Sequence, residues 1–397
     1  MRNLTLPLTL AIIAGLSLPC FSKDAQGVAA ALQPYIESNT IVGAVTLVAS
    51  PDKVLSLETI GCADLAEKKA MEEDALFWIA SMTKPMTSMA LMMLVEEGKV
   101  NIDDAVEKYL PEFKGQMLLG GKTADQVTLK KPQRPITVKD LLTHTSGLIS
   151  KSPLDGEAID TLTLREAVLT YALSPLQFEP GSKWSYCNPG INTLGRIIEV
   201  VSGKPYAEFM QERLFTPLGM KDTTFWPDEK QLARLAKSYQ QNADKTALEE
   251  TTVKFLTPPL SDRKRMPLAA GGLFSTASDL VKIYQMVLNG GTLGGKRYIK
   301  EETLKLMTSN QTGDMKVSFT DGMHMGLGFH IVNTPEGVTA DLSPGSFGHG
   351  GAYGTQAWID PTKKLIMVLL IQRAGISSDA SEMRGAFQKA AVEKFGK

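Results

Sequence analysis

A serine followed three residues later by a lysine can supply a nucleophile and its base, provided the serine opens a helix. Positions i and i+3 then share a face, and the amine can reach the hydroxyl. The sequence holds this spacing three times, at Ser50-Pro51-Asp52-Lys53, Ser81-Met82-Thr83-Lys84 and Ser261-Asp262-Arg263-Lys264. The first lies in turn-rich composition between two apolar runs and the third in a charged stretch, so both are expected in solvent. Ser81 differs: it follows Leu76-Phe77-Trp78-Ile79-Ala80 and begins the helical pattern Met82, Met86, Met89, Ala90, Met93, Leu94. Pro85 falls in the first turn, where its missing N–H costs no intrahelical bond. Ser81 is therefore expected at the positive end of a helix dipole, with a backbone N–H able to help hold an oxyanion. An ordinary N-cap serine beside a surface lysine would leave the same trace.

Two further groups could complete such a site. Tyr186-Cys187-Asn188 is the one Tyr-x-Asn among 9 tyrosines, and it ends a turn-rich stretch, 178–185, that leads into a helical pattern. A tyrosine close to a lysine can pass a proton, and an asparagine two residues on can orient a carbonyl. The competing reading is a half-buried aromatic and a helix-capping asparagine. Gly348-His349-Gly350-Gly351 offers glycines that let a substrate approach a strand, followed by N–H groups that can face a reacting carbonyl. A bulge with a structural histidine is the alternative there.

The elements that must position these residues follow from periodicity. With 397 residues, the chain needs two domains or one domain with a large insertion. Strand patterns at 42–50 and 54–60 flank the turn 51–53, and patterns at 353–359 and 365–371 flank 360–364; a further strand is expected at 328–332. Between these blocks the patterns are helical, at 82–97, 104–109, 138–142, 164–173, 191–201, 206–214 and 277–288. Helices are also expected at 25–37 and 379–395. The assembly that satisfies all of them is a largely antiparallel sheet built from both chain ends, covered by the terminal helices, with a helical insertion on its other side. Segments 115–135 and 241–266 are expected as long loops. The first contains Gly120-Gly121-Lys122-Thr123, but five residues separate Gly115 from Gly121 where a phosphate loop has four, so it reads as a turn.

Composition removes several classes of function. Hydrophobic residues make up 43% and charged residues 21%, an ordinary globular balance, and 42 basic against 43 acidic residues leave no field to hold a nucleic acid. The 3 cysteines and 4 histidines show neither Cys-x-x-Cys nor His-x-x-x-His spacing, so no metal site is expected. At the N-terminus, Arg2, the apolar stretch 4–18 and Pro19-Cys20-Phe21-Ser22 read as a secretory signal peptide cut after Ser22, sending the protein to the periplasm or medium. Pro19 departs from the small residue that precedes a lipidated cysteine, which counts against a lipoprotein through Cys20. After that cut Cys62 and Cys187 are expected as free buried thiols. No stretch reaches the roughly 20 apolar residues of a membrane span.

Taken in order, Ser-Met-Thr-Lys at 81–84, Tyr-Cys-Asn at 186–188 and His-Gly-Gly at 349–351 resemble the serine β-lactamase and penicillin-recognising superfamily. The branch is that of class C β-lactamases, D-Ala-D-Ala carboxypeptidases, D-aminopeptidases and family VIII carboxylesterases. Stretches 136–148, 217–220 and 271–280 are similar to it too, so the resemblance covers nearly the whole chain after residue 22. It implies an α/β (α+β) fold of the β-lactamase/DD-peptidase kind in one hydrolase domain, 23–397. The sheet subdomain would take about 23–80 and 320–397, and the helical subdomain about 81–319. It implies an acyl-enzyme mechanism without a cofactor, acting on a small ester, an amide or a peptidoglycan-like peptide. Ser81 would attack, Lys84 and Tyr186 would share its proton, Asn188 would hold the acyl side chain, and the N–H groups of Ser81 and Ala352 would hold the oxyanion beside His349, Gly350 and Gly351. His144, in Thr143-His144-Thr145-Ser146-Gly147, is expected to fix a loop.

One departure bears on substrate. β-Lactamases of this kind carry Lys-Thr-Gly at the third motif, where this chain has His349 and Gly350. A neutral histidine and a glycine would cost an anionic β-lactam about 1–3 kcal/mol for each charged hydrogen bond lost. Neutral short-chain esters are therefore expected to be preferred, with the gap narrowing toward pH ~6 as His349 gains charge. The alternatives are a D-Ala-D-Ala peptidase, a penicillin-binding protein or weak β-lactamase, and a non-catalytic sensor or binding module of the same fold. A Ser-His-Asp hydrolase would need a Gly-x-Ser-x-Gly elbow, which the sequence lacks.

Overall fold

In the strand Leu365–Leu370 every side chain is buried, and the side chains divide by parity. Ile366, Val368 and Leu370 enter one hydrophobic core, and Leu365, Met367 and Leu369 enter another. Its neighbour Gly43–Ala49 divides in the same way, with Val45, Leu47 and Ala49 on one side and Ala44 and Val48 on the other. Successive side chains of a strand point to opposite faces, so these continuous apolar runs mark a sheet covered on both sides. The computed structural model describes residues 27–317, 320–376 and 381–396. Its main sheet has eight strands in the order Met323–Met325, His330–Val332, Phe347–Gly350, Gln356–Asp360, Leu365–Leu370, Gly43–Ala49, Val54–Asp64 and Lys69–Ala70. Each neighbouring pair is antiparallel.

On one face lie the C-terminal helix Glu382–Phe395, the 3₁₀ turn Ala29–Leu32 and the short helix Gln33–Glu37. On the other lies the larger core of the helical region, in which Thr83–Glu96 packs against Asn188–Ser202. Helices Val138–Leu142 and Leu164–Leu173 pack on Asn188–Ser202, each opened by a threonine in a capping box, Thr137 with Asp140 and Thr163 with Glu166. Helix Ala277–Leu288, capped by Thr276, lies directly on strands Leu365–Leu370 and Gly43–Ala49. The mid-chain insertion thus returns one helix to the sheet. Among the described residues no helix is long and apolar enough to cross a membrane.

Several expectations are corrected. Segment 104–109 holds a single 3₁₀ turn, Val106–Lys108, because Pro111 draws Leu110 into an extended conformation and stops the helix. Segment 206–214 is an α-helix, Tyr206–Met210, running into a π turn, Gln211–Phe215. The first expected long loop contains a hairpin, Leu118–Lys122 with Val127–Lys130, and the second begins inside one, Ser238–Gln241 with Leu248–Thr251. Gly120, Gly121 and Lys122 therefore sit in a strand rather than a turn. These hairpins are largely exposed, so no apolar alternation announced them. Cys62 is held in a disulfide, whereas Cys187 is a free buried thiol, which overturns the expectation of two free thiols. Residues 1–22, read as a signal peptide, lie outside the described residues.

Candidate active site

The chain approaches Ser81 through a short strand, Phe77–Trp78, paired with Phe274–Ser275. Ile79 then donates its N–H to Leu273 O at 3.0 Å. Ala80 adopts φ 45°, a left-handed conformation that a side chain disfavours, and so turns the backbone sharply into a 3₁₀ turn, Ala80–Met82. The α-helix Thr83–Glu96 follows without a break. Ser81 therefore stands one turn ahead of the α-helix rather than at its N-cap. Thr83 locks the turn: its hydroxyl donates to Ala80 O at 2.7 Å and accepts from Leu273 N at 3.2 Å.

Lys84 is completely buried, and its Nζ lies 2.9 Å from Ser81 Oγ. The same nitrogen donates to Ala270 O at 2.5 Å. Burial drives the Lys84 amine well below its ordinary value of 10.5, with the Cys187 thiol acting to a smaller extent in the opposite direction. The Ala270 peptide is itself fixed, since its N–H donates to Asn192 Oδ1 at 3.0 Å. An amine whose pKa is driven down by burial, held by a carbonyl and directed at a serine hydroxyl, has the chemistry of a general base once it has lost its proton.

Tyr186 covers this pair, its ring centroid 4.7 Å from Lys84 Nζ. The loop carrying it is anchored by His144, whose ring lies 4.7 Å from that of Tyr186 and whose Nδ1 accepts from Cys187 N at 3.1 Å. His144 O accepts from Ser185 N at 2.9 Å. Burial, then the nearby Lys84, hold the His144 imidazole well below 6.5, so it stays neutral while fixing the loop. Cys187, not Asn188, caps the following helix through its sulfur, and burial pushes its thiol up to about 11. Asn188 is thereby released from capping and lines the cavity at Ser81.

The third motif is placed differently from expectation. His349 is buried, with its ring stacked on His330 at 4.6 Å and its Nδ1 2.7 Å from Gly350 O. Burial, and then His330 and Lys84, keep it well below 6.5. It therefore stays uncharged as the pH falls toward 6, against the expectation that it would charge there. Gly348 and Gly351 are close-approach positions: a Cβ would run into Ala357 O at the first and Ile79 O at the second. His349, Gly350 and Gly351 do not line the cavity at Ser81, whereas Ala352 does.

The cavity measures about 230 Å³ and brings Ser81, Asn188 and Ala352 together with Trp78, Tyr171 and Leu268. The other two Ser-x-x-Lys matches lie elsewhere: Ser50 closes a hairpin turn by donating its N–H to Lys53 O at 2.8 Å, and Ser261 and Lys264 are exposed. Two groups escaped the sequence reading. Ala270 acts through its carbonyl, which no side-chain motif can signal. Asn192 could have been found, because it lies one helical turn after Asn188 and shares its face.

Residues 28–391 match the family described as Beta-lactamase. Protein Rv1367c of Mycobacterium tuberculosis is 31% identical over 371 residues, covering 89% of this chain and 91% of that protein. Esterase EstB of Burkholderia gladioli is 27% identical over 394 residues, covering 91% and 94%. Among solved structures, EstCE1, described as a hydrolase with promiscuous acyltransferase activity, aligns with a TM-score of 0.78 at 26% identity over 92% of this chain and 97% of that one. Agreement in sequence over nearly all of the chain, on a shared antiparallel sheet flanked by helices, establishes that this chain belongs to the Beta-lactamase family and is a serine hydrolase of that fold.

Proposed function

We propose that this chain is an exported carboxylesterase that cleaves small esters through an acyl-Ser81 intermediate. The observation that carries the reading is the buried Lys84 amine 2.9 Å from Ser81 Oγ. As Oγ bonds to the ester carbonyl carbon, the serine proton passes to the lone pair of Lys84, and the N–H groups of Ser81 and Ala352 face the oxyanion. Collapse expels the alkoxide, which takes its proton from Lys84 by way of Tyr186. Water then attacks the acyl-enzyme, its proton follows the same route, and the carboxylic acid leaves with Ser81 restored. An ester is favoured over a β-lactam because the third motif presents no cation to the cavity, and because EstB, named an esterase, is similar along most of both chains.

Mass spectrometry after a serine-reactive phosphonate checks the assignment: one adduct on Ser81 is expected, and a label on another residue would overturn it. Export rests on the pattern of residues 1–22. Sequencing of the secreted protein is expected to begin at about Lys23. Disulfide mapping of the same material tests the cut, since joining Cys62 to a peptide that contains Cys20 would place cleavage upstream of Cys20.

A further inference from the structure

A second cavity, of about 780 Å³, adjoins the first, and Lys151, Ile159, Phe255 and Ala352 stand in the walls of both. An aromatic partition separates them. Trp78 borders the first and Tyr353 the second, with rings edge to face at 5.0 Å, and Phe255 lies 6.0 Å from Trp78. The two chambers differ in character. Leu256, Leu268 and Ala270 give the first a buried apolar wall, whereas Glu157, Gln241 and Lys254, which line the second, are exposed. On the Ser81 esterase reading, a short acyl chain would enter the first and the leaving alcohol would pass by the second.

The charge in the outer chamber is lopsided. Lys151, Lys254 and Arg373 face one carboxylate there, Glu157, while Asp155 borders the inner cavity near Lys151. Lys254 Nζ donates to the neutral Gln240 Oε1 at 3.0 Å. Arg373 is 6% exposed, donates from Nε to Thr40 O at 3.1 Å and from Nη1 to Ala374 O, and has no carboxylate partner among the described residues. Burial alone pulls its pKa below the usual guanidinium value. Taking a guanidinium out of water without an anion is unfavourable, and an anion entering the chamber would offset that cost through charge-assisted hydrogen bonds.

From this arrangement, and resting on the Ser81 esterase reading, we infer that the outer chamber binds an anionic group, a carboxylate, on the leaving alcohol of the substrate. His349 does not line this chamber. An anion site there reconciles a third motif lacking a facing cation with a substrate that still carries a negative charge, provided the charge sits away from the scissile carbonyl.

A matched pair of esters tests the inference: 4-(carboxymethyl)phenyl butyrate and its neutral primary amide, whose methylene insulates the leaving oxygen from the difference in charge. Wild-type kcat/KM is expected to favour the carboxylate by about tenfold, a ratio that shrinks as salt is added. Arg373→Gln should bring the ratio close to one, a readout that a general loss of folded enzyme would leave unmoved. Lys254→Gln, at an exposed position where folding is not at stake, should lower the ratio by about threefold, and Glu157→Gln should raise it. A wild-type ratio near one, or a ratio unmoved by both Arg373→Gln and Lys254→Gln, would overturn the inference and leave the Ser81 reading intact. Absence of turnover on both esters would overturn the two together.

Discussion

Lys84 and His349 both lie near the Tyr186 ring, at 4.7 and 6.3 Å, and burial drives the pKa of each well below its ordinary value. Their surroundings then part. The Lys84 amine touches one carbonyl, Ala270 O, and one hydroxyl, Ser81 Oγ, which opens on the cavity. The His349 ring meets the carbonyl of its own neighbour, Gly350, and the face of His330. A depressed pKa therefore marks a base where the lone pair has a proton to take, and marks packing where it has none. Desolvation is common to the two sites; access to a reacting atom is what separates them.

Substitution should expose that difference most strongly. Ser81→Ala and Lys84→Ala are each expected to lower kcat/KM on a short-chain aryl ester by roughly 10³-fold or more, and His349→Asn by less than about tenfold. Equal losses at Lys84 and His349 would dissolve the contrast. A smaller but still large effect tests whether Lys84 works with Tyr186: the Lys84→Ala, Tyr186→Phe double change should cost little more than the worse single change, and a multiplicative loss would separate the two residues.

Acidity sharpens the comparison further. Lys84 is active when unprotonated, so kcat/KM should fall about tenfold per pH unit once the pH drops below its depressed pKa, with the midpoint unmoved by His349→Asn. Stability should carry the same signature with a definite sign. Between the folded pKa and 10.5 the unfolded chain binds a proton at Lys84 that the folded chain does not, so stability rises with pH across that window. Lys84→Met should flatten the rise in denaturant midpoints, and an unchanged slope would mean that Lys84 is charged in the fold. The smallest expected effect lies at His349. Because it stays neutral, the preference for a neutral ester over a chromogenic cephalosporin should change by less than about twofold between about pH 8 and about pH 6. A gap that closes on acidification would show His349 gaining charge within reach of substrate.

Much of the fold was legible because its signals are local. Helices Val138–Leu142, Leu164–Leu173 and Ala277–Leu288 begin immediately after the threonines that cap them, and the apolar runs of the sheet stop at turn residues. The nucleophile and its lysine were legible for the same reason, since three residues separate them. What escaped depended on contacts between distant segments. The orientation of His349 is decided by pairing with Ala357 and by the ring of His330, and the grip on Lys84 comes from the carbonyl of Ala270. The hairpin Leu118–Lys122 with Val127–Lys130 is largely exposed, and Ser238–Gln241 with Leu248–Thr251 buries little beyond Ser238 and Tyr239, so neither leaves a periodic trace.

The strand Gly43–Ala49 finds one of its two partners, Leu365–Leu370, some three hundred residues later in the chain. That pairing has a consequence for the order in which the molecule can be made. A chain emerging in one direction, from a ribosome or through a membrane pore, presents its first hairpin long before the strand that must cover its open edge. Until then that edge carries unpaired N–H and C=O groups and apolar side chains on both faces, the condition in which strands join wrong partners. Helices such as Thr83–Glu96 and Asn188–Ser202 can form early from local contacts, but closing the sheet waits for the last tenth of the polypeptide and carries the entropic cost of a very long loop. Chains truncated before Leu365 should therefore remain substrates for holding chaperones, however completely their helical part has formed.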